Sequence, residues 1–178
     1  LEMTRRFARR FNNMYQQEYF PEPEPYNFGE DLVKVPGLDG SGKMGKTEGN
    51  AIYLSDEPKA IKKKVMKAVT DAGPTEPNQE MAESIKNIFK LMEIVSEKET
   101  YEYFLDQYNT TSIRYGDMKK QLAQDIINFT DPLRERIKAI YADEEYLKKV
   151  VAMGRDKARA SAAKTLRDVR NIIGIKAF

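Results

Sequence analysis

Along most of this chain the apolar residues recur at intervals of three and four, the repeat that gathers side chains on one face of an α-helix. Leu1, Met3, Phe7, Phe11 and Met14 make the first such stripe, with Arg5, Arg6, Arg9 and Arg10 on the wetter side. The spacing predicts a helix over residues 1–15 that ends near Asn12 and Asn13. Pro21-Glu22-Pro23-Glu24-Pro25 has to be a loop, because each proline lacks a backbone donor and disfavours helical geometry in the residue before it. Leu32 to Val35 reads as one short strand, and glycines crowd the chain from Gly37 to Gly49. From Ser55-Asp56-Glu57-Pro58 onward the pattern turns helical: a capping residue, an acidic first turn and an early proline precede Ala60, Ile61, Val65 and Ala68 on one face. Helices are predicted over about 57–69, 79–95, 97–108, 116–141 and 143–173, with Asp131-Pro132 expected to kink or divide the fourth of these. The joins at Ala72-Gly73-Pro74, Asn109-Thr110-Thr111 and Ala142-Asp143 are short, which favours a packed bundle. No internal repeat is visible.

Composition narrows the chemistry more than the fold. The chain has 178 residues, enough for one ordinary core or two small ones, and 33% of them are charged. No stretch approaches the roughly 20 apolar residues of a membrane helix. A net charge of +2 argues for no particular partner. The absence of cysteine removes disulfides, thiolate nucleophiles and cysteine zinc sites, and fits a reducing cytosol. The absence of histidine removes imidazole bases and metal ligands, and with them triad hydrolases and most transition-metal enzymes. The opening Leu1-Glu2-Met3-Thr4-Arg5 reads as the middle of a helix, so a piece of a longer protein is expected.

The segment that carries chemistry is Gly37-Leu38-Asp39-Gly40-Ser41-Gly42-Lys43-Met44-Gly45-Lys46-Thr47-Glu48-Gly49-Asn50. Glycines let a backbone approach an anion closely, and two lysines three apart can hold different oxygens of one polyphosphate. Gly40 to Thr47 fits the P-loop pattern G-x-x-x-x-G-K-T. That site, however, needs a helix starting at the Lys-Thr pair, whose terminal amides cradle the phosphates, and a later apolar strand ending in an aspartate for magnesium. Here Glu48-Gly49-Asn50 reads as a turn, Ala51-Ile52-Tyr53-Leu54 as extended chain, and everything later as helix.

Lys43-Met44-Gly45-Lys46-Thr47 resembles the Lys-Met-Ser-Lys-Ser (KMSKS) loop of class I aminoacyl-tRNA synthetases, with glycine for the middle serine and threonine for the last. The flanks are similar to the tryptophanyl-tRNA synthetase family in the same order. Upstream lie Leu1 to Arg5 and Phe7-Ala8-Arg9-Arg10-Phe11-Asn12. Downstream come Ile61 to Asp71, ending Ala68-Val69-Thr70-Asp71, and then the stretch from Gly154 to Gly174.

The resemblance implies a mainly α chain: the C-terminal remnant of a Rossmann-like α/β catalytic domain in residues 1–56, then a helical anticodon-binding bundle in residues 57–178. It implies that ATP, with Mg2+, and L-tryptophan are joined to give tryptophanyl-adenylate and pyrophosphate, and that the tryptophanyl group passes to tRNA(Trp), in a cytoplasmic homodimer. Lys46 is then the group in contact with the transition state, Lys43 a phosphate binder, and Met44, Gly45 and Thr47 the rest of the ATP-binding loop. Gly45 loosens that loop. The family's His-x-Gly-His-like motif cannot lie in a chain without histidine, so these residues alone are expected to be inactive. A tyrosyl-tRNA synthetase and a stand-alone helical RNA-binding module remain as alternatives. Lys148, Lys149, Arg155, Lys157, Arg159, Lys164, Arg167, Arg170 and Lys176, set against Asp156 and Asp168, make a phosphate-following stripe or simply a wet helix face. Lys59, Lys62, Lys63, Lys64 and Lys67 pose the same choice, and Tyr101, Tyr103, Tyr108, Tyr115 and Tyr141 suit stacking on bases or burial in a core.

Overall fold

A computed structural model describes residues 1–26, 34–40 and 42–175. The helices are α1 (Glu2–Tyr15), α2 (Pro58–Met66), α3 (Glu83–Val95), α4 (Lys98–Asn109), α5 (Tyr115–Ala142) and α6 (Glu144–Ile172). Among the described residues there is no strand. Of the strand expected at Leu32 to Val35, Lys34 and Val35 lie in irregular chain, and Leu32 and Val33 fall outside the described residues. The chain forms two compact units: Val33–Ala142, and Leu1–Leu32 together with Asp143–Phe178.

The first unit holds the hydrophobic core. Ile61 and Val65 of α2, Ile85 and Met92 of α3, and Met118 and Leu122 of α5 are fully enclosed, joined by Phe104 and Tyr108 of α4. At about 1.5–3 kcal/mol for each large apolar side chain removed from water, this cluster supplies most of the unit's stability. Leu38, in the glycine-rich stretch, belongs to the same cluster, so the base of that loop is bolted to the helices.

Helix α2 starts later than the sequence signal suggests. Its N-cap is Glu57, in extended geometry with no side-chain cap, and Pro58 opens the helix, its missing donor being one that the first turn leaves free anyway. Ser55 lies too far upstream to cap. The Asp56 carboxylate instead accepts from the Tyr53 amide at 2.9 Å and pairs with Lys64 at 2.5 Å. At the far end the buried Lys119 of α5 donates to the Ala68 carbonyl at 2.7 Å and to the Thr70 hydroxyl at 3.1 Å, capping the last turn from a neighbouring helix.

Helix α5 runs through Pro132 without dividing, where the sequence predicts a kink or a division. Side chains hold the turns on either side of the missing donor. The Thr130 hydroxyl donates back to the Ile126 carbonyl at 2.8 Å, and the buried Arg134 pairs with Asp131 one turn earlier and reaches the Asp56 carbonyl at 3.4 Å.

In the second unit α1 extends to Tyr15, past the expected end at Asn12 and Asn13. Asn12 does not stop the helix because its carboxamide turns outward to Phe20, donating to that residue's carbonyl at 2.7 Å and accepting from its amide at 3.0 Å. The helix ends at Gln16 in the left-handed region. Phe11 packs against Tyr15 and Phe20 with ring centres 4.8 and 4.9 Å apart. The apolar stripe of α1 is not buried as its pattern suggests: only Ala8 is enclosed, while Leu1, Met3, Phe7 and Met14 are exposed. Phe7, Phe11 and Met14 line an apolar cavity of about 700 Å³ closed on other sides by Phe20, Val169 and Ile173. Helix α6 is capped by the Asp143 carboxylate, which accepts from the Tyr146 amide at 2.9 Å, and buries no residue along its length.

Candidate phosphate-binding loop

Two backbone bonds anchor the glycine-rich loop. The Met44 amide donates to the Val35 carbonyl at 2.8 Å, and the Val69 amide, just past α2, donates to the Leu38 carbonyl at 3.0 Å. Met44 packs half-buried against the core below. Between these fixed points Lys43, Lys46 and Thr47 are exposed, and residues 46–49 make a turn in which the Glu48 amide donates to the Gly45 carbonyl at 3.3 Å. Gly49 closes the turn with φ +69°, a conformation open to glycine at no steric cost. Of the five consecutive residues singled out from sequence, Lys43, Lys46 and Thr47 are exposed and Met44 and Gly45 are half-buried.

No helix starts at Thr47, and the next one begins at Pro58. The cradle of helix-terminal amides that defines a P-loop is absent here, so the letters of that pattern do not carry its geometry.

Three polar residues make contacts that the sequence reading did not anticipate. Asn50 is 7% exposed, with its carboxamide turned back onto the loop backbone. Lys119, whose pKa is pushed down by burial, caps α2, and Asp71 accepts from the Tyr115 hydroxyl at 2.7 Å. Burial first, and the bond to Asp71 second, push the Tyr115 phenol well above its ordinary range. Asparagine after glycine signals only a turn, and nothing in the sequence distinguishes Lys119 from the other lysines of α5.

The remaining candidates are spread out. Lys148, Lys149, Arg155, Lys157, Arg159, Lys164, Arg167 and Arg170 are all exposed along α6, some paired locally, as Lys148 with Glu144 and Glu145. Lys176 lies outside the described residues. On α2, Lys64 is paired with Asp56, whereas Lys59, Lys62, Lys63 and Lys67 are exposed. Tyr108 is a core residue, Tyr101 and Tyr115 are half-buried, and Tyr103 and Tyr141 are exposed. Among the described residues no cluster of three acidic side chains stands ready to hold a metal ion, and no helix is long and apolar enough to cross a membrane.

The exposed lysine-bearing loop is seated on a helical core and lacks the P-loop cradle. Residues 1–131 match the family described as tRNA synthetases class I (W and Y), and the chain belongs to that family. A tryptophan–tRNA ligase of Porphyromonas gingivalis is 60% identical over 176 residues, which are 99% of this chain and 54% of the relative. Its counterpart in Chlamydia caviae is 34% identical, across 97% of this chain and 50% of its own length. The crystal structure of tryptophanyl-tRNA synthetase from Campylobacter jejuni complexed with ADP and tryptophan superimposes with a TM-score of 0.74 at 26% identity, over 97% of this chain and 53% of that one. The chain thus spans about half the length of the curated relatives it matches. These relatives do not favour the tyrosyl alternative.

Proposed function

We propose that the chain is part of a tryptophan–tRNA ligase, to which it contributes the ATP-phosphate loop and a tRNA-binding helical region. The observation that carries this reading is the exposed Lys43–Thr47 segment anchored to the helical core, in a chain whose relatives are tryptophan–tRNA ligases. In the reaction the tryptophan carboxylate attacks the α-phosphorus of ATP and pyrophosphate departs. The protein's part is to place the reactants and to neutralise charge on the leaving group. Lys46 meets the charge that develops in the transition state, Lys43 holds phosphate oxygens, and Met44, Gly45 and Thr47 form the wall against the nucleotide. Mg2+ enters with ATP; the described residues offer no acidic cluster to hold it.

Residues 1–56 close the catalytic domain in this reading and residues 57–178 face the tRNA, with α6 following its phosphate backbone. The exposed basic residues of α6 support that role. The full-length ligase works in the cytoplasm as a homodimer, which sedimentation equilibrium would check.

The test is tryptophan-dependent exchange of labelled pyrophosphate into ATP by the full-length protein. Removing one group that stabilises transition-state charge costs about 10²–10³-fold in rate, so Lys46→Ala should slow exchange by that factor. Lys43→Ala should act mainly through a higher KM for ATP. Residues 1–178 alone should give no exchange, since they contain no histidine for the other half of the phosphate site. Exchange driven by tyrosine rather than tryptophan, or a Lys46→Ala protein as fast as its parent, would overturn the proposal.

A further inference from the structure

Among the described residues of the loop, Asn50 has the most deeply buried polar side chain. Its carboxamide spans the backbone of residues 43–45. Oδ1 accepts from the Gly45 amide at 2.8 Å, while Nδ2 donates to the Lys43 carbonyl at 3.1 Å and to Asp39 Oδ1 at 3.0 Å. On the other side the Met44 amide is held by the Val35 carbonyl. A carbonyl and an amide two residues apart are the pair that an extended strand offers to a parallel neighbour, so this side chain stands in for one peptide of a strand that the loop does not have. Met44 is thereby fixed from both sides, with Lys43 immediately before it and Lys46 one residue beyond the clamp.

We propose that Asn50 is the positioning residue of the phosphate loop: it holds the Lys43–Gly45 backbone in the conformation from which Lys43 and Lys46 reach the departing pyrophosphate. The role rests on the ligase reading above. It requires a carboxamide, because the position must donate and accept at once. A carboxylate there would accept only, and would sit against both the Lys43 carbonyl and the Asp39 carboxylate. Alanine would leave the Gly45 amide and the Lys43 carbonyl without this partner in a partly buried place. Glutamine keeps both functions on a longer stem.

The experiment is pyrophosphate exchange with the full-length protein and its Asn50→Ala, Asn50→Asp and Asn50→Gln variants, alongside amide hydrogen exchange of the same proteins. Misplacing reactive groups by about an ångström costs on the order of 10²-fold, so Ala and Asp should lower kcat/KM for ATP by about 10- to 100-fold. The fall should include a raised KM for ATP at an unchanged KM for tryptophan, with glutamine recovering part of the loss. Exchange of the Gly45 amide should quicken in the Ala and Asp variants while α3 and α5 stay protected. A fall in kcat alone, with both KM values at the parental level, would mean merely fewer folded molecules and would refute the role, as would parental kinetics or unchanged Gly45 exchange. If the parent itself gives no tryptophan-dependent exchange, the ligase reading fails and this role with it. If the parent is active and the variants match it, only the role of Asn50 fails.

Discussion

A Cβ built on Gly45 would stand 2.7 Å from Cγ of Glu48 and 3.4 Å from its Cβ. The obstacle is the outer part of an exposed side chain, which can swing into solvent, and the Gly45 amide keeps its bond to Asn50 whatever Cβ is added. Gly45→Ser should therefore cost less than about 1 kcal/mol, the usual scale for a surface change, and leave the melting temperature almost unmoved. Its effect should appear in kinetics. Glycine gives the loop more unfolded freedom than serine, so Gly45→Ser should raise the rate of tryptophan activation a few-fold; equal rates would show that the loop's closing is not softened by glycine. At this scale the exposure of Lys43 and Lys46 was legible, because a stretch dense in glycine and lysine reads as a surface loop. Asn50 was not: its neighbours in sequence describe a turn, and only the fold reveals that its carboxamide is buried and turned back onto residues 43–45.

The helical faces were legible wherever burial followed a simple period. Ile61, Val65 and Ala68 are enclosed as their spacing indicates. The joint that fixes α2 against α5 depends instead on polar groups far apart in sequence. Lys119 satisfies the Ala68 carbonyl, and the next amide, that of Val69, holds Leu38 at the base of the phosphate loop. Lys119→Met keeps the aliphatic stem but abandons that carbonyl, and should destabilise the protein by about 1–3 kcal/mol in urea unfolding. Tyr115 and Asp71 lock the same joint, with a consequence at alkaline pH. The phenol is pushed up in the folded chain, so its contribution is fully present below the ordinary tyrosine value of 10.0 and is lost as pH rises beyond it, where the unfolded chain ionises first. The urea midpoint of the parent should therefore fall more steeply above pH 10 than that of Tyr115→Phe. Parallel pH profiles would show that the hydroxyl makes no such contribution. Pro132 illustrates the opposite limit of sequence reading: its missing donor suggested a kink or a division, and α5 is not divided there.

Across the whole molecule, burial is unevenly shared. Every member of the buried apolar cluster lies between Leu38 and Ile126, whereas α1 encloses only Ala8 and α6 encloses nothing. Isolated helices in water are marginal without a packed face, so the two units should open with different free energies. Hydrogen exchange of residues 1–178 checks this directly. Amides of α3 and of α5 up to Thr130 should exchange only with global unfolding, since their side chains form the core. Those of α1 and α6 should exchange at least about 10²-fold faster, through local opening that exposes little further apolar surface. The exposed Phe7 and Met14 beside the apolar cavity sharpen the contrast, because the pattern that made α1 look amphipathic describes a face that these residues leave uncovered. Protection of α6 equal to that of α3 would mean that its basic residues and local ion pairs, such as Lys148 with Glu144 and Glu145, hold the helix without a core. Exposed pairs of that kind contribute about 0.3–0.5 kcal/mol each, too little for 29 residues, so fast exchange in α6 is the expected outcome.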